Sequence, residues 1–295
     1  MIRYLKLRQI KVFLAKEGGV VGPSYILILI LLSLFPKTHS QAEEISIIIP
    51  DSTYQKDIVK QATDDVISLL KRGFQHNVSI NNPDADVLLD IPAIDSAEQH
   101  APSVFSQKVD FPYHQYPNHH YTWTSSNKNS QIHLQLSTPS YQGISFGLYG
   151  LLQEKLGYKF YHPRQSLIPS HEKWPLPTNF TWEAKPRFDK KGFNPHTQHP
   201  IEITEQLHGY PKKTALRDVK QYIDWLARNQ QNYFQFLLLR TVELEDWLEH
   251  AQDIVEYAHS RGILVSLDIS IHSLQQKHFQ LVKFPPTSFK PYKKS

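Results

Sequence analysis

The chain of 295 residues contains no cysteine, so no disulfide framework can stabilise it and its stability must come from packing. It has one marked apolar run, "YILILILLSLF" at residues 25–35, which is shorter than the roughly 20 residues that a transmembrane helix needs. This excludes a membrane transporter. The chain does have 40% hydrophobic and 12% aromatic residues, enough to bury a core, and its length is typical of two domains.

A cationic surface is also missing from most of the chain. The formal net charge is +4, but residues 1–42 hold six basic residues against one acidic residue. The remainder carries 26 Lys and Arg against 27 Asp and Glu, which is a net charge of −1. Proteins that bind nucleic acid usually carry an excess of positive charge, and residues 43–295 have none, so we exclude nucleic acid as a partner.

The first 42 residues have the layout of a secretory signal. A long basic stretch precedes the apolar run, and Ser40 and Ala42 provide the small side chains that a signal peptidase accepts. We therefore expect export to the periplasm or the extracellular space, with cleavage after Ala42. In the alternative, residues 1–42 stay attached as an anchor, and the protein contacts a membrane only through this segment.

Residues 43–163 have the pattern of a small α+β domain. Apolar and alternating runs predict strands at residues 45–50, 86–91, 131–137 and 158–163. Apolar residues at helical spacing predict helices at residues 52–73 and 143–157. This order of elements predicts a sheet with helices packed on one face. Prolines then recur through residues 164–186, which predicts a linker at a domain boundary.

From residue 187 the pattern changes to strand, helix, strand, helix, strand. Strands are predicted at residues 191–195, 232–239 and 263–269. Short apolar strands that alternate with helices imply βαβ units and a parallel sheet, either open and doubly wound or closed as a barrel. We expect residues 187–272 to hold these units and residues 273–295 to form a poorly ordered tail.

Several segments resemble glycoside hydrolases. The segment "ISFGLYGLLQEKLGYKFYHP" (144–163) resembles the end of the small α+β domain that precedes the barrel in the family 20 β-N-acetylhexosaminidases and the family 67 α-glucuronidases. Three later segments resemble the start of the family 20 catalytic barrel: "PRFDKKGF" (186–193), "DVKQYIDWLARNQQNYFQF" (218–236) and "IVEYAHSRGILV" (254–265). The resemblance spans residues 45–270 and implies a (β/α)8 barrel whose sugar site lies at the C-terminal ends of the strands.

The chain departs from the family 20 pattern at the catalytic acid. Those enzymes use an adjacent Asp-Glu pair at the end of the fourth barrel strand, and nothing after Ile269 matches it. A (β/α)8 barrel takes about 250 residues, whereas 109 residues run from 187 to 295, so only about three βα units fit. We therefore expect an incomplete barrel, the N-terminal portion of a glycoside hydrolase for oligo- or polysaccharides, inactive by itself. The alternative is a non-catalytic carbohydrate-binding or interaction module on the same scaffold.

Polar residues after the predicted barrel strands are the candidate sugar-binding residues. They are His196, Gln198, His199, Arg240 and Asp268. Their imidazole, amide, guanidinium and carboxylate groups can hydrogen-bond sugar hydroxyls. For each candidate a structural role stays open as the alternative to sugar binding. The histidines could be polar loop residues, and Asp268 could be a helix cap or a hydrogen-bond partner within the fold. The His-x-x-His spacing lacks further ligands, so no metal and no cofactor is predicted, and no catalytic residue is assigned.

Overall fold

The computed structural model describes residues 44–74, 77–94, 119–195, 202–239 and 242–268. These described residues all belong to one compact unit. The predicted signal segment and the predicted tail lie outside the described residues, so export and the N-terminal anchor stay predictions. Among the described residues, no helix combines the length and the apolar character needed to cross a membrane.

The described residues form eleven strands and six α-helices. The strands are β1 (Ile45–Ile48), β2 (Val78–Ile80), β3 (Val87–Asp90), β4 (Tyr121–Lys128), β5 (Gln131–Ser137), β6 (Lys159–His162), β7 (Gln165–Leu167), β8 (Thr181–Ala184), β9 (Gly192–Phe193), β10 (Tyr233–Leu237) and β11 (Leu264–Asp268). The helices are α1 (Asp51–Tyr54), α2 (Asp57–Gly73), α3 (Tyr141–Gly150), α4 (Thr204–Leu207), α5 (Ala215–Arg228) and α6 (Leu244–Ser260). A π-helical turn, Leu151–Lys155, continues α3.

Six strands form a mixed sheet in the order β2-β1-β3-β5-β4-β8. The first four pair in parallel, whereas β4 runs antiparallel to both β5 and β8. Side chains on one face of this sheet are buried in a core that α2 and α3 share. The sheet contributes Ile45, Ile47, Val87, Leu89, Trp123, Leu134 and Leu136, and the helices contribute Val66, Leu70, Ile144 and Leu148. The mixed α/β class predicted from the sequence is therefore confirmed.

The proline-rich segment 164–186, predicted as a linker, contributes two strands. β7 forms a hairpin with β6, and β8 is an edge strand of the six-stranded sheet. The alternating pattern of β8 covers only four residues between Pro177 and Pro186, which is too short to predict a strand from periodicity. An edge position tolerates flanking prolines, because the outer side of an edge strand makes no ladder hydrogen bonds.

A second, three-stranded parallel sheet has the sequential order β9, β10, β11. On one of its faces, Phe193 contacts Trp225 of α5, and Phe236 contacts Trp247 of α6. Both crossover helices therefore pack on the same face of this sheet. Sequential parallel strands are common to the start of a (β/α)8 barrel and to half of an open doubly wound sheet, so the incomplete barrel stays a prediction.

A buried ionic network connects α2 to α5 and α6. Arg228 donates from Nε and Nη2 to the two carboxylate oxygens of Asp65, at 2.8 and 2.7 Å. Tyr149 donates its hydroxyl to Asp65 (2.9 Å) and accepts from Nη2 of Arg261 (2.8 Å). Burial by itself raises the pKa of Asp65, but the hydrogen bonds and charges of the two arginines outweigh it and hold that pKa below its ordinary value.

Candidate functional site

One of the five predicted sugar-binding residues belongs to the described part of the chain. Asp268 is the last residue of β11, at the C-terminal edge of the three-stranded sheet. The other four, His196, Gln198, His199 and Arg240, lie outside the described residues, so their placement stays a prediction.

Asp268 ends a row of hydrogen-bonded polar side chains. Gln235 donates from Nε2 to Oδ1 of Asp268 at 2.6 Å, and Tyr233 donates its hydroxyl to Oε1 of Gln235 at 3.1 Å. Tyr233 and Gln235 are two residues apart on β10, so they share a face of the sheet. That face is opposite the one on which Phe234 and Phe236 are buried. The row therefore orients the Asp268 carboxylate at the strand ends, on the face opposite the two crossover helices.

The carboxylate of Asp268 retains capacity to bind a ligand. Within the described ranges, Oδ1 accepts the Gln235 hydrogen bond, whereas Oδ2 makes no hydrogen bond. A carboxylate oxygen held in a fixed orientation can accept a hydrogen bond from a hydroxyl group. The sequence pattern singled out Asp268 as a strand-end residue, but it did not reveal that Gln235 positions it.

His208 fixes the end of β10 beside this row. Its Nδ1 donates to the carbonyl oxygen of Thr204 at 2.6 Å, and its Nε2 accepts from the backbone N–H of Leu239 at 3.2 Å. The ring packs against Phe236 and Trp247 and is almost fully buried. Burial lowers the pKa of His208 below its ordinary value, although the backbone hydrogen bonds oppose this effect. No spacing or motif marked this histidine in the sequence.

The lowered pKa of His208 predicts a loss of stability in mild acid. Below the ordinary histidine pKa of about 6.5, the unfolded chain binds a proton that folded His208 does not, so the free energy of unfolding falls as the pH drops from 7 towards 5. We expect His208→Asn, which keeps an N–H near the Nδ1 position, to reduce the slope of the free energy of unfolding against pH between pH 5 and 7. Urea unfolding at several pH values would measure it. His120→Asn, at an exposed histidine, is the control; an equal change of slope in both variants would contradict the prediction.

A second polar cluster joins the β6–β7 hairpin to α5. The distance between Nε2 of His162 and Oε2 of Glu202 is 2.9 Å. Nδ1 of His162 accepts a hydrogen bond from the backbone N–H of Arg164 at 3.3 Å. Because Nδ1 accepts, the neutral ring carries its proton on Nε2 and donates it to Glu202. The Tyr222 hydroxyl lies 3.4 Å from the same Nε2. Sequence reasoning missed this cluster, because its members come from segments 40 and 60 residues apart.

A cleft of about 410 Å³ that is open to solvent, called the cavity below, lies next to this cluster. Its lining residues are Pro163, Arg164, Gln221, Asp224 and Arg228. Within the described ranges, no group of three or more His, Cys, Asp or Glu side chains is arranged to hold a metal ion.

Comparison with known proteins finds similarity only among solved structures. No family model matches the chain, and no curated protein matches its sequence. Among solved structures, a family GH115 4-O-methyl-α-glucuronidase with specificity for decorated arabinogalactans matches 77% of this chain with a TM-score of 0.50 and 11% identity. A GH89 enzyme of Clostridium perfringens, solved with its substrate GlcNAc-α-1,4-galactose, matches 72% of this chain with a TM-score of 0.37 and 9% identity.

These matches bear on the fold alone. The chain spans 29% of the length of the GH115 enzyme and 26% of the length of the GH89 enzyme. A TM-score of 0.37 is too low to argue from, so the GH115 enzyme carries the structural comparison. Both neighbours are glycoside hydrolases, whereas the particular resemblance to families 20 and 67 stays a prediction.

Proposed function

We propose that this protein is an exported, carbohydrate-active protein of the glycoside hydrolase type, in which residues 187–272 form the first βα units of a (β/α)8 barrel. The observation that supports this most is the likeness in fold to the GH115 4-O-methyl-α-glucuronidase over 77% of the chain. The family 20 and family 67 resemblance of residues 45–270 supports the same class of protein from the sequence.

The arrangement of the three-stranded sheet fits the start of a barrel. Its strands follow one another in chain order, and both crossover helices pack on one face. A (β/α)8 barrel has this order and keeps all its helices outside, with ligand sites at the C-terminal ends of the strands. Asp268 occupies such a position. The predicted residues His196 and Arg240 follow β9 and β10 in the sequence but lie outside the described residues.

The chemistry of this edge favours binding of sugar hydroxyls. Asp268 offers a charged acceptor that Gln235 holds in place. Glycoside hydrolysis normally needs two carboxyl groups about 5–10 Å apart. Glu202, in the loop before α4, pairs instead with His162 and Arg164. The proposal is therefore binding of a carbohydrate at this edge by a chain that does not hydrolyse it.

Substitution of Asp268 tests the proposed site. We expect Asp268→Asn to weaken sugar binding about tenfold, because the charged acceptor becomes a neutral amide and one acceptor oxygen becomes a donor. The measurement is a titration of the full chain with N-acetylglucosamine and glucuronic acid oligosaccharides, followed by saturation-transfer difference NMR. Asp253→Asn, an exposed carboxylate on α6, is the matched control. Unchanged binding in Asp268→Asn would mean that the site does not lie at this edge.

Turnover assays test the absence of hydrolysis. We expect the purified chain to release no p-nitrophenol from N-acetyl-β-glucosaminide or α-glucuronide substrates. Measurable release would contradict the binding-only proposal and support an active enzyme.

N-terminal sequencing of the exported protein tests cleavage after Ala42.

A further inference from the structure

The cavity between the β6–β7 turn and α5 is built on fixed elements. Phe160 of β6 accepts two hydrogen bonds through its carbonyl oxygen, from Nε1 of Trp225 (2.9 Å) and from Nδ2 of Asn229 (3.1 Å). These bonds tie the hairpin to α5, so the turn at Pro163 and Arg164 forms a stable wall of the cavity. The opposite wall consists of residues 221, 224 and 228, whose spacing of three and four places them on one face of α5.

Two charged groups of this wall are oriented from behind by buried partners. Asp65 binds Nε and Nη2 of Arg228, and among the described residues Nη1 of Arg228 has no hydrogen-bond partner. Asp224 accepts from the Tyr257 hydroxyl (2.7 Å) at Oδ1, which also lies 3.0 Å from Nε of Arg261. Within the same ranges, Oδ2 of Asp224 makes no hydrogen bond. The cavity thus has a preoriented donor and a preoriented acceptor one helical turn apart.

The charges around the cavity balance one another. Each arginine has a carboxylate partner, in the pairs Arg228–Asp65, Arg261–Asp224 and Arg164–Glu202. A simple anion would therefore meet the carboxylate of Asp224 without a surplus of positive charge to compensate. A cation would meet the guanidinium of Arg228. A neutral group that both donates and accepts hydrogen bonds fits this wall.

We propose that this cavity binds a neutral sugar through two adjacent hydroxyl groups. One hydroxyl donates to Oδ2 of Asp224 and the other accepts from Nη1 of Arg228, while the Gln221 amide and Arg164 contact the remaining hydroxyls. The cleft is open to solvent and mainly polar, so a ligand here would be held by hydrogen bonds rather than by apolar burial. The cavity is distinct from the Asp268 site, because α5 packs on the opposite face of the three-stranded sheet.

Gln221→Ala in the full chain tests this proposal, because the Gln221 side chain is exposed and takes no part in the ionic network. The probe is methyl α-D-mannopyranoside, titrated and followed by saturation-transfer difference NMR. Tetrahydropyran-2-methanol, a ring ether without adjacent hydroxyls, and methyl β-D-glucuronide, an anion, serve as comparison ligands. We expect Gln221→Ala to raise the Kd of the mannoside about 3- to 10-fold, since one hydrogen bond is lost. Gln252→Ala, at an exposed glutamine of α6, is the matched control and should leave the Kd unchanged.

The outcomes separate this cavity from the Asp268 site. Mannoside binding that weakens in Gln221→Ala but not in Asp268→Asn supports the cavity. Binding that weakens in Asp268→Asn but not in Gln221→Ala overturns the cavity and leaves the proposed function standing. Equal binding of the ring ether, or tighter binding of the glucuronide, overturns the neutral-diol ligand. The absence of saturable mannoside binding overturns the cavity proposal, and the oligosaccharide titrations then decide the Asp268 site separately.

Discussion

Replacement of Asp65 by alanine is expected to lower the free energy of unfolding by about 3–5 kcal/mol, because it leaves the buried Arg261 and the partly buried Arg228 without their shared carboxylate. Arg228 would lose both hydrogen bonds to Asp65, and the side chain of Arg261 is only 2% exposed. A loss of this size is a large fraction of the total stability of a typical domain, about 5–15 kcal/mol. Urea unfolding followed by circular dichroism would measure it.

Asp64 and Asp65 provide a matched comparison at neighbouring positions. Asp64 pairs with Lys60 on the surface of α2, where both side chains are about half exposed (47% and 48%). Exposed pairs of this kind are screened by solvent, so Asp64→Ala should have a much smaller effect than Asp65→Ala. If Asp65→Ala accumulates only as unfolded protein, Asp65→Asn, which keeps hydrogen-bonding capacity, provides a measurable variant. Equal effects at positions 64 and 65 would contradict the role assigned to the buried network.

The Asp65 contribution also has a defined pH dependence. Because the pKa of Asp65 is held below its ordinary value, its ionised form stabilises the fold at pH values above the ordinary aspartate pKa of about 3.9. This contribution is lost as the pH falls through the lower, folded-state pKa. Asp224 behaves in the opposite sense, since burial raises its pKa despite the neighbouring Arg261. We therefore expect Asp65→Ala to be destabilised most, relative to the unsubstituted protein, near neutral pH.

Replacement of Trp123 by alanine is expected to lower the free energy of unfolding by about 3–5 kcal/mol through the cavity that it leaves in the core. Trp123 is fully buried in β4, and its indole N–H donates to the carbonyl oxygen of Gly147 in α3 at 2.9 Å. The helix lies close to the sheet here: a Cβ atom at Gly147 would come within 2.7 Å of Leu136. Because the helix and the sheet are already in close contact, the surrounding residues cannot easily move into the cavity that the indole ring would leave.

Two further variants separate packing from hydrogen bonding at this position. Trp123→Phe keeps an aromatic ring but removes the indole N–H, so its loss should be clearly smaller than that of Trp123→Ala. Ser126→Ala, at an exposed position of the same strand, should change the stability little. Far-UV circular dichroism in urea is the suitable measurement, because substitution of Trp123 alters the tryptophan fluorescence itself. A loss in Trp123→Ala no greater than in Ser126→Ala would contradict the assignment of this core.

Local periodicity predicted several elements close to their observed bounds. The alternating pattern at residues 131–137 coincides with β5, and the apolar run at 232–239 contains β10. These patterns depend on which side chains face the core at intervals of two or 3.6 residues, and neighbours in the sequence carry that information. The short strands β2, β7 and β8 escaped prediction, because three or four residues are too few for a period to be recognised. The longer β4 also escaped, because its second half, residues 125–128, is entirely polar.

The sequence by itself determined the α/β class, the position of most of the parallel strands and the strand-end location of Asp268. Only the tertiary structure decided that Gln235 orients Asp268, that Glu202 pairs with His162, and that Asp65 binds Arg228 across 163 residues of sequence. The physical reason is the range of the interactions. A helix or strand pattern repeats along neighbouring residues, whereas an ion pair or a cavity wall forms only after distant segments have packed together.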